Sequence, residues 1–388
     1  MKIMFLFDFP IKGGGSGYYL KFLALRLLEK YKHEIAIVLP DKNQVDPRFK
    51  QYYVPIKNSP VFINRPGLEK SKRYKDLTPH EIENIYHTYN AATVQAVEDF
   101  KPDVIHVHHV GINSWTARFI RGVYNTKLII TSHGSCLLNI SQDRRYYKLS
   151  KDALRAAQYI TAVSGDNKSK LLKMFGDDLA SKVRTITGGI RLSMFPSTVP
   201  PLILESIKKK YKIPNRPIVL FSGRLISEKG IEYIIQAAES IKGHVLIVGE
   251  GVQRKKYEQM IKDHELSNVQ LLGYVDHATL VQIYYLADVF VSPSIWDDPM
   301  PLTIIEAMAA KCPLVVTEKG GIPLAVKDGW NGFFVRPRNT ADIVDRVNHL
   351  LQDPELRKIM GQRAREIVIK KFTWSHIAER FNTLYQSL

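Results

Sequence analysis

"PIVLFSGRLISEKGIEYIIQAAESI", residues Pro217–Ile241, carries a fold signature in one stretch. A continuous apolar run comes first, of the kind that suits a strand buried on both faces. Gly223 ends that run, and a helical segment, "GIEYIIQAAESI", follows. Strand, glycine turn and helix in this order make the repeating unit of a parallel sheet covered by helices.

The same grammar runs through the rest of the chain. Before this stretch the strand-like runs are "KIMFLFDF", "HEIAIVLP", "DVIHVHH", "KLIITSHG" and "YITAVS". After it come "HVLIVGEG", "VQLLGYV", "VFVSPS" and "PLVVTEKGG". The alternation restarts near Pro217, behind the Pro-rich segment "FPSTVPPLILESIKKKYKIPNRP", which reads as a linker. No low-complexity tract or short-period repeat interrupts the pattern. The expected fold is α/β, with two Rossmann-like doubly wound domains facing a central cleft, one over residues 1–200 and one over 201–371.

Composition agrees with this. A chain of 388 residues is long for one core and suits two domains. No apolar run reaches the roughly 18–20 residues that cross a bilayer. The start, "MKIMFLFDFP", is broken by Asp8 and reads as a first buried strand instead of a leader. Cys136 and Cys312 have neither metal-site nor disulfide spacing. These features point to the cytoplasm. The net charge of +17 is uneven: residues 1–200 hold 30 Lys and Arg against 17 Asp and Glu, about +13, and residues 201–388 hold 25 against 21, about +4. The stretch from Arg48 to Lys75 is a dense part of the excess. Simple solubility or a nucleic-acid patch would account for it, and so would an anionic membrane surface or an acidic acceptor.

Ligands in doubly wound sheets sit at the carboxyl ends of strands, so the chemistry belongs just after strands. Four motifs lie there. "IKGGGSGYYL" offers Gly13, Gly14, Gly15 and Gly17 before a helix, where backbone N–H groups can approach a ligand closely. It is not the dinucleotide fingerprint, because the glycine spacing differs. "TSHGSC" places His133 at a strand end, followed by Gly134. His106, His108 and His109 raise a metal reading, since alternation puts His106 and His108 on one face; a buried or rim role is preferred, with no metal. "SGRLISEKG" sets Arg224 and Lys229 beside a helix start, a good clamp for a pyrophosphate. "VGEGVQ" repeats the strand-and-glycine logic at Gly249 and Gly251.

"PSIWDDPMPLTIIEAMAAKCPLVV", Pro293–Val316, adds acids to this set. Residues 303–310 read as a helix, with Asp298 in the loop before it and Glu306 within about its first turn. A carboxylate there can accept two hydrogen bonds from a vicinal diol such as a ribose, and Asp298 can reach a second sugar. Gripping hydroxyls suits the pair better than holding a metal, although Asp297 beside Asp298 keeps a metal open.

The order "GGGSG", "HG", "GRLxxEKG", "GEG", acid-x7-"EAMA", "GGIP" and "DGWNGFFV" resembles the retaining glycosyltransferases of family 4, of the GT-B fold, over nearly the whole chain. The resemblance implies a nucleotide-diphosphate sugar donor, linked to uridine or guanosine, bound mainly by the C-terminal half. It implies that Arg224 and Lys229 hold the diphosphate, with Gly223 and Gly251 as further substrate-binding positions. Glu306 would bind the ribose hydroxyls and Asp298 the donor sugar. His133, with Gly134, would lie near the anomeric centre, and the Gly14, Gly15 and Gly17 turn near phosphate and acceptor. Tyr274 and Val275 would line the base pocket. Backbone groups at Met300, Pro301, Leu302 and Thr303 would help with phosphate or sugar, except that Pro301 has no N–H. The last segment, 372–388, would be a helix crossing back to the first domain, with Trp374, Ile377, Phe381 and Leu384 at helical spacing.

The chain departs from the family pattern at Asp298, where Glu is usual, at Pro301, where Gly is usual, and at "GGIR", Gly188–Arg191. The implied reaction is hexosyl transfer to a hydroxyl acceptor, lipid-linked, saccharide or small, with no metal and no cofactor. A sugar-nucleotide epimerase or a phosphorylase shares the fold, and a non-catalytic nucleotide-sugar or nucleic-acid binder is the reading from another class. The acceptor is expected on the basic first half, and its charge excess raises the expectation of a lipid-linked acceptor at the cytoplasmic membrane face.

Overall fold

The computed structural model describes residues 1–11, 14–62, 68 and 70–388. Gly13 and most of the 63–69 part of the basic stretch lie outside the described residues. The chain packs as two compact units, Met1–Gly188 with Trp374–Leu388, and Gly189–Thr373.

The first unit is built on a seven-stranded parallel sheet. Its strands are β1 (Lys2–Leu6), β2 (Glu34–Leu39), β3 (Lys50–Tyr53), β4 (Val104–His108), β5 (Lys127–Ser132), β6 (Tyr159–Ala162) and β7 (Val183–Thr185). They lie in the order β3-β2-β1-β4-β5-β6-β7. Ile3 pairs with Ile35 on one side and Val104 on the other, which places β1 at the switch point of the winding. Beyond Lys2 the central strands β1 and β4 are wholly buried, β1 through apolar side chains and β4 with His106 and His108 among its apolar ones. The edge strands β3 and β7 escape the sequence reading for the opposite reason. "KQYY" is half exposed and "VRT" has three residues, so neither carries a buried run.

The C-terminal helix Trp374–Gln386 belongs to this first unit. Trp374, Ile377, Phe381 and Leu384 are buried on one face. Complete burial of side chains such as Ile377 and Phe381 contributes about 1.5–3 kcal/mol each. The helix is also pinned by polar contacts, His33 Nε2 to Asn382 Oδ1 at 2.8 Å and Tyr385 Oη to His106 Nδ1 at 2.7 Å.

The second unit holds a six-stranded parallel sheet: β8 (Ile218–Ser222), β9 (His244–Val248), β10 (Val269–Gly273), β11 (Val289–Ser292), β12 (Leu314–Thr317) and β13 (Gly332–Val335), in the order β10-β9-β8-β11-β12-β13. The segment between residues 195 and 217 lies inside this unit and is not bare linker. It contains the helix Pro201–Tyr211, because proline is well suited to the first helical turn, where its missing N–H costs nothing. Ile190 N donates to Phe372 O at 2.8 Å, joining the first and last segments of the unit. Among the described residues no helix is long and apolar enough to cross a membrane.

Candidate functional site

In the second unit, β8 and β9 run side by side with Ser222 opposite Val248. The turns that follow them are stitched together. Leu225 N donates to Glu250 O at 2.9 Å, and Leu225 O accepts from Gln253 N at 3.0 Å. A Cβ on Gly251 would sit 2.4 Å from that same Leu225 oxygen. The "GEG" turn therefore supports the Gly223–Arg224 turn from beneath.

Arg224 stands on this supported turn. Burial pushes its pKa down, and the negative charges of Asp298 and Glu228 push it back up. A largely desolvated guanidinium acts on a nearby anion more strongly than a surface one. Lys229 ends the short turn Ser227–Lys229, and its ammonium pairs with Asp298 Oδ2. Gly230 follows with φ +66°, and a Cβ there would meet Pro293 O at 2.2 Å. That close approach lets the lysine turn lie against the loop after β11. Ile295 N donates to Glu228 O at 3.0 Å, closing the same contact from the other side.

The loop between β11 and the helix Leu302–Ala309 carries both neighbouring acids. Asp298 is buried against Lys229, and Gly321 N donates to its carbonyl at 2.7 Å. Asp297 turns to solvent and pairs with Lys319 at 3.4 Å. Among the described residues no group of three or more His, Cys, Asp or Glu side chains is placed to hold a metal ion. Pro301 caps the helix without an N–H, and its carbonyl accepts from Ile304 N at 3.2 Å. Met300 precedes it in the loop, and the amides of Leu302 and Thr303 fall in the first turn, where helix geometry provides no intrahelical acceptor.

Glu306 is the fifth residue of that helix, so it begins the second turn and not the first. Its Oε1 lies 2.8 Å from His277 Nε2, and its Oε2 accepts from the Tyr284 hydroxyl at 3.0 Å. Tyr284 in turn lies 2.7 Å from Ser222 Oγ at the end of β8. The hydrogen bond with Glu306 raises the pKa of His277 against the opposing effect of burial. His277 and Tyr284 are the functional candidates that the sequence reading misses. Their signal is faint: they stand seven residues apart on the helix His277–Leu286, hence on one face, directly after the "GYV" strand end. Of that strand end, Tyr274 is 79 % exposed and Val275 is buried.

The remaining candidates lie in the first unit. Gly14 caps the helix Gly15–Tyr31, and Gly15 and Gly17 are already helical. A Cβ on Gly17 would sit 2.1 Å from Ile11 O, so packing alone demands glycine at that position. Tyr19 on this helix meets the His133 ring edge-on at 5.0 Å between centroids, which brings the glycine turn and the histidine into one neighbourhood. His133 ends β5, and Gly134, with φ +91°, starts the next helix. Burial depresses the His133 pKa to about 3, and its Nε2 lies 2.9 Å from His108 Nδ1. His106 is also held near 3, bonded on both nitrogens by Tyr385 and Thr131. These imidazoles are neutral at physiological pH.

Comparison with known proteins bears on the family and the fold. A family model described as Glycosyltransferase Family 4 matches residues 13–193, and one described as Glycosyl transferases group 1 matches residues 204–367. The putative glycosyltransferase YtcC of Bacillus subtilis is 27 % identical over 322 residues, 77 % of this chain and 76 % of that protein. Sucrose-phosphate synthase of Thermosynechococcus elongatus superposes with a TM-score of 0.81 at 22 % identity, covering 100 % of this chain and 98 % of the other. Anabaena HepE in complex with UDP-glucose gives a TM-score of 0.80 at 19 % identity, covering 100 % of both chains. The fold is GT-B. The two models follow one another along the sequence, and the chain belongs to the family 4, group 1 glycosyltransferases.

Proposed function

We propose that the protein is a retaining, metal-independent hexosyltransferase that takes its sugar from a UDP- or GDP-linked donor and passes it to a hydroxyl acceptor. The observation that carries this reading is the second unit's pair of cations: Arg224 and Lys229 both stand in the short connection between β8 and the helix Ile231–Ala237, with Lys229 held by the buried Asp298. In the reaction the bond from the anomeric carbon to the diphosphate oxygen breaks, and negative charge grows on the leaving diphosphate. Two fixed cations and the first-turn amides of the helix after Pro301 stabilise that charge where it develops. They supply what a divalent ion supplies in other transferases.

Glu306 accepts hydrogen bonds from the ribose, Asp298 from the donor sugar. His133, neutral and half-buried, contacts the sugar by hydrogen bonding and does not serve as a general acid. The acceptor oxygen attacks the face that the diphosphate leaves, and its proton passes to the departing phosphate oxygen. The complex of Anabaena HepE with UDP-glucose supports a uridine donor by analogy.

A thermal-shift screen across nucleotide sugars tests the donor, since a ligand that binds only the native state raises its melting temperature. Lys229→Ala tests the chemistry. Transfer from the stabilising donor falls by about 10²–10³, and an unchanged rate would overturn the reading. The charge excess of the first half supports an acceptor at an anionic membrane face. Flotation with anionic vesicles at low salt tests that separately, and absence of binding ends it.

A further inference from the structure

We infer that His277 and Tyr284 are positioning residues that lock the Glu306 carboxylate, so that this pocket selects nucleoside diphosphates carrying both ribose hydroxyls over their 2′-deoxy counterparts. This inference rests on the nucleotide-sugar reading, because it takes Glu306 as the group that meets the ribose.

The geometry gives Glu306 one protein donor on each oxygen, His277 Nε2 at 2.8 Å and the Tyr284 hydroxyl at 3.0 Å. A carboxylate only accepts, and its two oxygens offer about four lone-pair sites. Two are taken by the protein. Two remain, one on each oxygen, which matches the two O–H donors of a cis vicinal diol.

The direction of the bonds is also fixed. Tyr284 has a single hydroxyl proton, and Glu306 can take it but cannot give one. Ser222 Oγ, 2.7 Å from the same hydroxyl, must therefore be the donor of that bond. The order Ser222 to Tyr284 to Glu306 anchors one carboxylate oxygen to the end of β8, the strand that also leads into the Arg224 turn. His277 opens the helix that carries Tyr284, capped by Asp276, whose carboxylate accepts from Thr279 N at 3.0 Å. The negative charges of Glu306 and Asp276 both favour an imidazole that donates to Glu306.

Without these partners the terminal torsion of a glutamate is soft, with a broad range of allowed angles. A free carboxylate can turn to satisfy one hydroxyl as well as two. A locked one cannot, and a 2′-deoxyribose then leaves one acceptor site of this half-buried carboxylate empty. Sites built to bond a hydroxyl reject the analogue that lacks it because a polar group is left unpaired.

The test is titration of the full chain with UDP and 2′-deoxy-UDP, in parallel with GDP and 2′-deoxy-GDP, by calorimetry. The wild type prefers the ribonucleotide of the base it binds by about tenfold to a hundredfold. Tyr284→Phe retains the ring packing against Phe195 and Phe290 and removes only the hydroxyl. His277→Asn removes the other donor. Each variant lowers that preference to roughly threefold or less, weakens the ribonucleotide more than the deoxynucleotide, and raises KM more than it lowers kcat. A wild type that binds both sugars equally overturns the inference with no variant needed. If Glu306→Gln weakens nucleotide binding while both variants keep the wild-type preference, the lock is wrong and the nucleotide-sugar reading stands. If Glu306→Gln leaves nucleotide affinity unchanged, that reading itself fails at this site.

Discussion

Lys229 and Asp298, 69 residues apart in sequence, form an ion pair whose side chains are only 14 % and 8 % exposed. The pair ties the turn after β8 to the loop after β11, and so couples the proposed diphosphate clamp to the proposed sugar grip. Buried pairs are costly to break from one side, because removing one partner strands the other charge without water. Lys229→Met is accordingly expected to destabilise the second unit by about 3–5 kcal/mol. The double variant Lys229→Met with Asp298→Asn recovers most of that loss, since no charge is then left buried. Denaturant melts of the two variants check this. Equal stability of the single and double variants would show that Asp298 is not stranded.

Arg224 acts on charge and Glu306 on hydroxyls, so their losses separate by ligand. Arg224→Gln keeps a planar polar head but removes the cation. We expect affinity for a nucleoside diphosphate to fall about a hundredfold, and affinity for the nucleoside alone to change less than about threefold. Titrations with UDP and uridine, or GDP and guanosine, check the contrast. Equal losses on both ligands would mean that Arg224 supports the pocket and does not meet the phosphates.

The two sheets and the C-terminal helix were legible because central parallel strands need long apolar runs and the last helix needs a spaced apolar face. Edge strands such as β3 and β7 are short or half polar, and nothing in their composition separates them from loops. At the candidate site, Arg224, Lys229 and Asp298 stood out as charges between a buried strand and a helix start, and Glu306 as an acid on the helix that follows. His277 and Tyr284 did not, because an imidazole and a phenol on an otherwise apolar helix read as ordinary packing; only the fold brings them to Glu306 across 29 and 22 residues of sequence. The glycines were legible as glycines but not by cause. Gly17 is required by the Ile11 carbonyl, a contact that no spacing rule contains.

Gly230 offers a test of geometry without any change of charge. Its φ of +66° and the 2.2 Å from a notional Cβ to Pro293 O leave no room for a side chain. Gly230→Ala must push the lysine turn away from the loop that carries Asp298. We expect stability to fall by about 1–3 kcal/mol and kcat/KM to fall about tenfold or more, because displacement of about 1 Å at a positioned group costs on that order. Melting curves and single-turnover rates check both. A fall in stability with normal turnover would mean that the turn tolerates the shift.

Asp8 carries the last prediction. It lies just beyond β1, 2 % exposed, with Oδ1 accepting from the Tyr74 hydroxyl at 3.2 Å. Burial raises its pKa to about 8, against the lowering effect of that hydrogen bond. The folded chain therefore keeps a proton that the unfolded chain releases near pH 4. Stability from this group is fully present below that point, declines as pH rises, and is lost through about pH 8, with a slope of at most about 1.4 kcal/mol per pH unit. The depressed histidines act in the opposite sense: His106 and His133, near 3, withdraw stability as pH falls below about 6.5. Asp8→Asn keeps the shape and removes the ionisation, and both proteins retain the histidines, so their effect cancels in the difference. The melting-temperature advantage of Asp8→Asn over the wild type should grow with pH, from about 4 °C at pH 5 to more than about 10 °C at pH 9, at roughly 3 °C per kcal/mol for a unit of this size. Scanning calorimetry across pH 5–9 checks the trend. A difference that stays flat with pH would show that Asp8 ionises freely in the folded chain.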